Sequence, residues 1–361
     1  MPAMPVDSAD ESVNVRAMFT HFTTRSGFAQ SCIVALLVSA GSFDRVSIAD
    51  AAAGMLLVAN KGDHTLGIID VTAGKQIATV AEDGVTGHEV AASADGKFAF
   101  VPIFGNSGVG SPGTDGRLMR VIDVTKREIV ATVDFGKGVR PHGPVLEPRK
   151  DLLYVTTELE NCVTVVDPRT WKILGTVPTG QKESHMLAIT KDGHWGYTAN
   201  VGVGTVSVLD LEKRKTVTII PVCEVTQRIS LSTDDRYVFT SDQKKSQLAV
   251  IDTRENKVTR WIPLPSNGYG TAPTPDGRWL LVCLPRLNKM AVVDLAKMEV
   301  KLTIEVPKAP QEVLVRPDGL EAYVSCDASG QVAAIDTREW KVARLITAGA
   351  GVDGLAWAKS E

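Results

Sequence analysis

Three of the six histidines, His88, His142 and His185, stand 54 and 43 residues apart, and the series continues at intervals of 42 through Gln227, Tyr269, Gln311 and Asp353. If a repeating fold gathers these positions around one axis, three neutral imidazoles with a carboxylate beside them match what a divalent transition metal needs. Each donor would sit about 2.0 to 2.2 Å from the ion, with room left for water or substrate. His88, His142, His185 and Asp353 are therefore the expected ligands of a divalent transition metal of open identity. Without a metal, the same imidazoles can act as general acid and base near neutral pH.

One residue further on, the series reads Glu89, Gly143, Met186, Arg228, Gly270, Glu312 and Gly354. Glu89, Glu312 and Tyr269 are expected to move protons, while Arg228 is expected to anchor a substrate carboxylate or phosphate. Pairing of Arg228 with Glu312 or Glu224 is the competing expectation. The three glycines are expected to leave space. Gln227 and Gln311 would contact substrate, joined by His64 from a nearby loop.

The elements that must hold these residues follow from a repeat. Turns reading ADGK (94–97), PRKD (148–151), KDGH (191–194), TDDR (233–236), PDGR (275–278) and PDGL (317–320) alternate with runs ending in ID, VD or LD: GIIDV, RVIDV, TVVDP, SVLDL, AVIDT, AVVDL and AAIDT. Seven such endings imply seven units. A period near 42 made of short alternating strands is that of a four-stranded propeller blade, and segments such as NCVTVVD and GTVSVLD argue against helical repeats. Three strand-like runs at the start (GMLLVAN, TLGIID, QIATV) and one at the end (GVDGLAWA) complete a seventh blade. The expected fold is an all-β, seven-bladed propeller spanning 52–361 and closed without a free sheet edge.

The runs YVTT (154–157), YTAN (197–200), LLVAN (56–60) and AYVSC (322–326), each followed by a VxVID-like strand, resemble the YVTN family of secreted β-propeller repeat proteins over residues 54 to 358. That resemblance implies the fold and leaves function open, because related propellers include lactonases, lyases, binding modules and cofactor-bearing enzymes. Propeller lyases with a histidine-rich metal site near the axis lend the metal expectation support by analogy.

In a propeller, the loops leading into the innermost strand share a face with the loops between the second and third strands. His64, His88, His142 and His185 are expected on that face, with Glu158, Glu160, Lys244, Arg286 and Asp327 as loop residues within reach of a ligand. Charges in such loops are usually only solvated. The excess of 12 residues between His88 and His142 lies in FGNSGVGSPGTDGR, 104–117, a glycine-rich insertion expected to be mobile, either as a cover for the site or as a tolerated surface insertion without a role. Its G-x-G-x-x-G spacing leads into a strand and not a helix, so nucleotide binding is rejected. The four cysteines after residue 51 are expected to be buried and unbridged. No G-x-S-x-G, H-E-x-x-H or C-x-x-C-H motif occurs.

Residues 1–51, with Arg25 before the apolar run 32–40 and alanines at 49 and 51, are laid out as a removable secretory leader, which predicts a periplasmic or secreted protein with no membrane span in its mature part. The 39 basic and 42 acidic residues nearly cancel, giving no electrostatic reason to bind nucleic acid. The expected partner is a small-molecule or carbohydrate ligand, and a monomer is expected. The leading functional expectation is a metal-dependent hydrolase or lyase acting on a small lactone or acidic sugar. A non-catalytic module binding a ligand, glycan or protein, or a cofactor-carrying propeller, is the alternative.

Overall fold

The computed structural model describes residues 53–106, 108–109 and 111–360. The expected leader lies outside the described residues. Seven four-stranded antiparallel sheets form the blades of a ring. Blade I joins the C-terminal strand Val352–Lys359 to Gly54–Asn60, Thr65–Asp70 and Lys75–Ala81, so the chain closes on itself as the sequence predicts. Blades II to VII follow in chain order, with innermost strands Ala91–Ala92, Pro141–Leu146, Ser184–Ile189, Thr226–Leu231, Thr271–Pro273 and Pro310–Val315. Among the described residues, no helix is long and apolar enough to cross a membrane.

The repeated turns form for local reasons. In the DG turns the aspartate accepts backbone N–H bonds two residues on, as Asp95 does from Lys97 and Asp276 from Arg278, both at 3.1 Å. The following glycine supplies the positive φ, 71° at Gly96 and 70° at Gly277. The aspartates that end the ID runs work the same way: Asp70 accepts from the N–H groups of Thr72 and Ala73, both at 2.9 Å. Between blades, the second and third strands bury continuous apolar faces, for example Leu57, Leu66, Val101 and Ile122 between blades I and II.

The upper ends of the innermost strands depart from regular pairing at the residues singled out above. The ladder slips between Pro141 and Pro144, Ser184 and Met186, Gln227 and Ile229, and Pro310 and Val313. On blade I the slip falls at Asp353 and Gly354, between the paired Val352 and Leu355. A bulge adds an unpaired residue and re-aims side chains, so both neighbouring positions can turn toward the axis. Two residues ahead, Thr86, Arg140, Glu183, Ala309 and Gly351 hold positive φ between 51° and 64°. Blade V differs, with φ of 56° at Arg228 itself.

Candidate functional site

Seven innermost strand ends, five of them bulged, converge at one mouth of the ring. Three imidazoles meet there around a side chain that the sequence did not single out, Phe104. Its ring centroid lies 5.0 Å from that of His88, 5.2 Å from His142 and 6.3 Å from His185. His142 and His185 stack at 3.8 Å with 25° between planes, and His88 meets His142 edge-on at 5.6 Å. His142 and His185 are buried, whereas the His88 side chain is 23 % exposed and forms the open edge.

Each imidazole has its own surroundings. His185 Nδ1 contacts the carboxylate of Glu158, which is itself 1 % exposed. His185's backbone carbonyl accepts from Thr156 Oγ1 at 2.8 Å, which fixes the strand end beneath the ring. His88 Nδ1 lies 3.9 Å from Asp353 Oδ2. Burial lowers His88 to about 4, with Lys61, His185 and Arg228 adding to that effect against the pull of Asp353. Burial also holds His142 well below the ordinary histidine value, and its Nδ1 is buried without a hydrogen-bond partner. At neutral pH, His88 and His142 are thus uncharged.

Arg228 crosses the axis to three other blades. It donates to Glu89 Oε1 at 2.5 Å and Asp353 Oδ1 at 2.9 Å, and its Nη1 lies 3.5 Å from Glu312 Oε2. Its guanidinium carbon sits 5.0 Å from the centre of the Tyr269 ring, a cation–π arrangement. Burial opposes the arginine's charge, but the surrounding acids outweigh it. Asp353 also accepts from Lys61 Nζ at 3.1 Å, and Lys61 reaches Asp327 at 2.9 Å. Desolvation raises Glu89 well above its ordinary value, and Glu312 is raised too. Both carboxyls contact Arg228 Nη1, and burial next to each other favours uptake of a proton there. Burial raises Tyr269 as well, and its hydroxyl accepts from Gln227 Nε2 at 3.0 Å.

The remaining expectations fare differently. Gln311 bonds the carbonyl of Ala309 in its own loop, and His64 is exposed at a turn with φ of 55°. The expected anchor Arg228 spends its terminal nitrogens on internal acids; the competing idea of pairing with Glu312 is met together with Glu89 and Asp353, and not with Glu224. The glycines leave no space for substrate. A Cβ on Gly354 would lie 2.6 Å from Glu89 Cα, and one on Gly270 would lie 2.4 Å from the Gln311 carbonyl, because the adjacent blade packs there. Among the described residues, no group of three His, Cys, Asp or Glu side chains is arranged to hold a metal ion. The four cysteines are free, with Cys162, Cys283 and Cys326 buried as expected.

Glu158, Lys61 and Asp327 occupy equivalent positions on three blades, Glu158 against His185 and Lys61 against Asp327 and Asp353. Each follows the last residue of its blade's second strand, after Thr157, Asn60 and Cys326 respectively. Aligning those strand ends reveals this second ring of positions. Glu158 was visible only as one loop acid among several.

A family model described as lactonase, 7-bladed beta-propeller, matches residues 53–259, a span that carries the three imidazoles, Glu89, Glu158 and Arg228. The chain belongs to that family. Its fold is shared with solved structures of low identity: hydrazine synthase of Kuenenia stuttgartiensis (18 % identical, TM-score 0.67, covering 80 % of this chain and 93 % of that one) and the dihydro-heme d1 dehydrogenase NirN (14 % identical, TM-score 0.60, covering 84 % and 75 %). No curated protein matches this member of the lactonase family.

Proposed function

We propose that the chain hydrolyses small cyclic esters at the axial site. The observation that carries this reading is the buried contact between His185 and Glu158. A carboxylate that accepts the Nδ1 proton selects the tautomer whose Nε2 lone pair is available, and it stabilises the imidazolium formed when that nitrogen takes a proton. Water loses a proton to His185 Nε2 as its oxygen attacks the lactone carbonyl carbon. The ring C–O bond then breaks, and the departing oxygen is protonated from the Glu89–Glu312 pair. The proton on His185 passes back to that pair through water, and a hydroxy acid leaves. Family membership supports the reaction class, and the geometry supports base catalysis over ligation. No step in this reading is routed through a divalent cation.

Hydrolysis of a panel of five- and six-membered lactones, followed by acid release, tests the proposal. Glu158→Gln should lower kcat by about 10²-fold, and chelator should leave activity intact. An unchanged kcat in Glu158→Gln would overturn the assignment of the base. Activity lost to chelator and restored by a divalent cation would replace the base with a Lewis acid. Lactone binding without any turnover would favour a binding module.

A further inference from the structure

Each bulge near the axis takes backbone groups out of the ladder, and a buried backbone group needs another partner. On blade III the slip sets His142 and Gly143 opposite one residue, Thr156, which is fully buried. Thr156 Oγ1 accepts from the Gly143 N–H at 2.8 Å and donates to the His185 carbonyl at 2.8 Å. A single hydroxyl thus uses its proton and one lone pair to join the bulge that carries His142 to the bulge that carries His185. Glu158, two residues further along the same chain segment, contacts the His185 ring. Backbone and imidazole of His185 are therefore both held from the end of one strand.

The device recurs in halves elsewhere in the ring. Thr156 is the last residue but one of its blade's second strand, as are Ser241 on blade V and Ser325 on blade VII. Ser241 Oγ donates to the carbonyl of Tyr269 on the next blade at 3.0 Å, the counterpart of the bond from Thr156 to His185. Ser325 Oγ accepts from the Glu312 N–H of its own blade at 3.0 Å, the counterpart of the bond from Gly143 to Thr156. Of these three hydroxyls, Thr156 alone makes both bonds. Blades I, IV and VI carry Ala59, Ala199 and Cys283 at that position. The hydroxyl with both bonds is the one between the stacked imidazoles, whose centroids lie 3.8 Å apart.

We propose that Thr156 is a positioning residue of the axial site: its hydroxyl sets the spacing of His142 and His185 and holds His185 against Glu158. Its effect on rate rests on the hydrolase reading above; its effect on the rings does not. Thr156→Val keeps the branched shape and leaves the Gly143 N–H and the His185 carbonyl buried without that partner. In histidine-labelled protein, nuclear magnetic resonance should show the His142 and His185 ring signals moving more than those of His194, at the other end of blade IV's innermost strand. Thr156→Ser should restore them. On the five- and six-membered lactones above, Thr156→Val should lower kcat about tenfold and leave KM within about twofold, because a displaced base costs rate before it costs binding. Serine should recover that loss. Should Thr156→Val fail to fold, Thr156→Ala gives the same comparison.

Ring signals that stay in place without the hydroxyl overturn the proposal whatever the rate does. Signals that move and are not restored by serine overturn the role of the hydroxyl and assign the effect to side-chain shape. Moved and restored signals with an unchanged kcat overturn the part of Thr156 in the reaction. Moved and restored signals in a protein whose wild type turns over no lactone overturn hydrolysis and keep the positioning of the rings.

Discussion

At the scale of single residues, the site is an exercise in keeping buried charge compensated. Arg228 is the extreme case, because removing its guanidinium leaves Glu89 without a cation and Asp353 with Lys61 alone in a buried setting. Arg228→Met is expected to destabilise the fold by about 3–5 kcal/mol, measured by chemical denaturation. A loss below about 1 kcal/mol would mean that the acids simply take up protons. His88 behaves oppositely, since burial keeps it neutral. Its folded value of about 4 lies below the ordinary 6.5, so the unfolded chain binds a proton in that interval that the folded chain refuses. The contribution of His88 is therefore fully retained above pH 6.5 and lost as pH falls toward 4. Between pH 7.5 and pH 5 that loss is on the order of 2 kcal/mol. His88→Asn should thus gain by that amount relative to wild type at pH 5, in paired thermal melts. Glu82, raised by burial to about 7, titrates in an overlapping window with the reverse sign, so the difference between the two proteins is the informative quantity. The identities of His88, His142, His185, Asp353, Glu89, Glu312 and Arg228 were legible from spacing alone. Their contacts were not, because spacing carries no information about which way a bulged residue turns.

At the scale of elements, two features decide what those residues do. The bulges place adjacent positions of one strand on the same side, which a strict two-residue alternation forbids. The 12-residue insertion is the second feature. Its described part is bonded by Arg140 through two carbonyls and Asp115, with the Phe104 ring 5.9 Å from its guanidinium. Phe104 in turn packs against the imidazoles. A buried arginine two residues before His142 thus links the glycine-rich insertion to the strand that carries the imidazole. Arg140→Ala is expected to raise protease cleavage within 106–116 several-fold and to raise KM for a lactone more than it changes kcat. Unaltered cleavage would show that the loop holds itself.

At the scale of the whole molecule, closure makes the site possible. Arg228 bonds residues 139 and 125 positions away, and such contacts exist only when every intervening blade is in place. The C-terminal strand completes blade I, brings Asp353 to His88 and Lys61, and stacks Trp357 on Tyr323 of blade VII at 6.1 Å. A chain ending at Gly351 should lose its cooperative unfolding transition and aggregate through the uncovered edge of Gly54–Asn60, a result readable by circular dichroism and gel filtration. Retention of a cooperative melt would show that six and three-quarter blades suffice.

The sequence alone determined the blade count, the closure by one C-terminal and three N-terminal strands, and the ring of positions that share a mouth, because turn chemistry and period are local properties repeated along the chain. Only the tertiary structure decided that His142 and His185 stack, that Glu158 contacts His185, that glycines serve neighbouring strands, and that Arg228 is consumed by acids from three other blades. Those outcomes depend on side-chain direction and on burial, both of which arise when distant segments meet and exclude water.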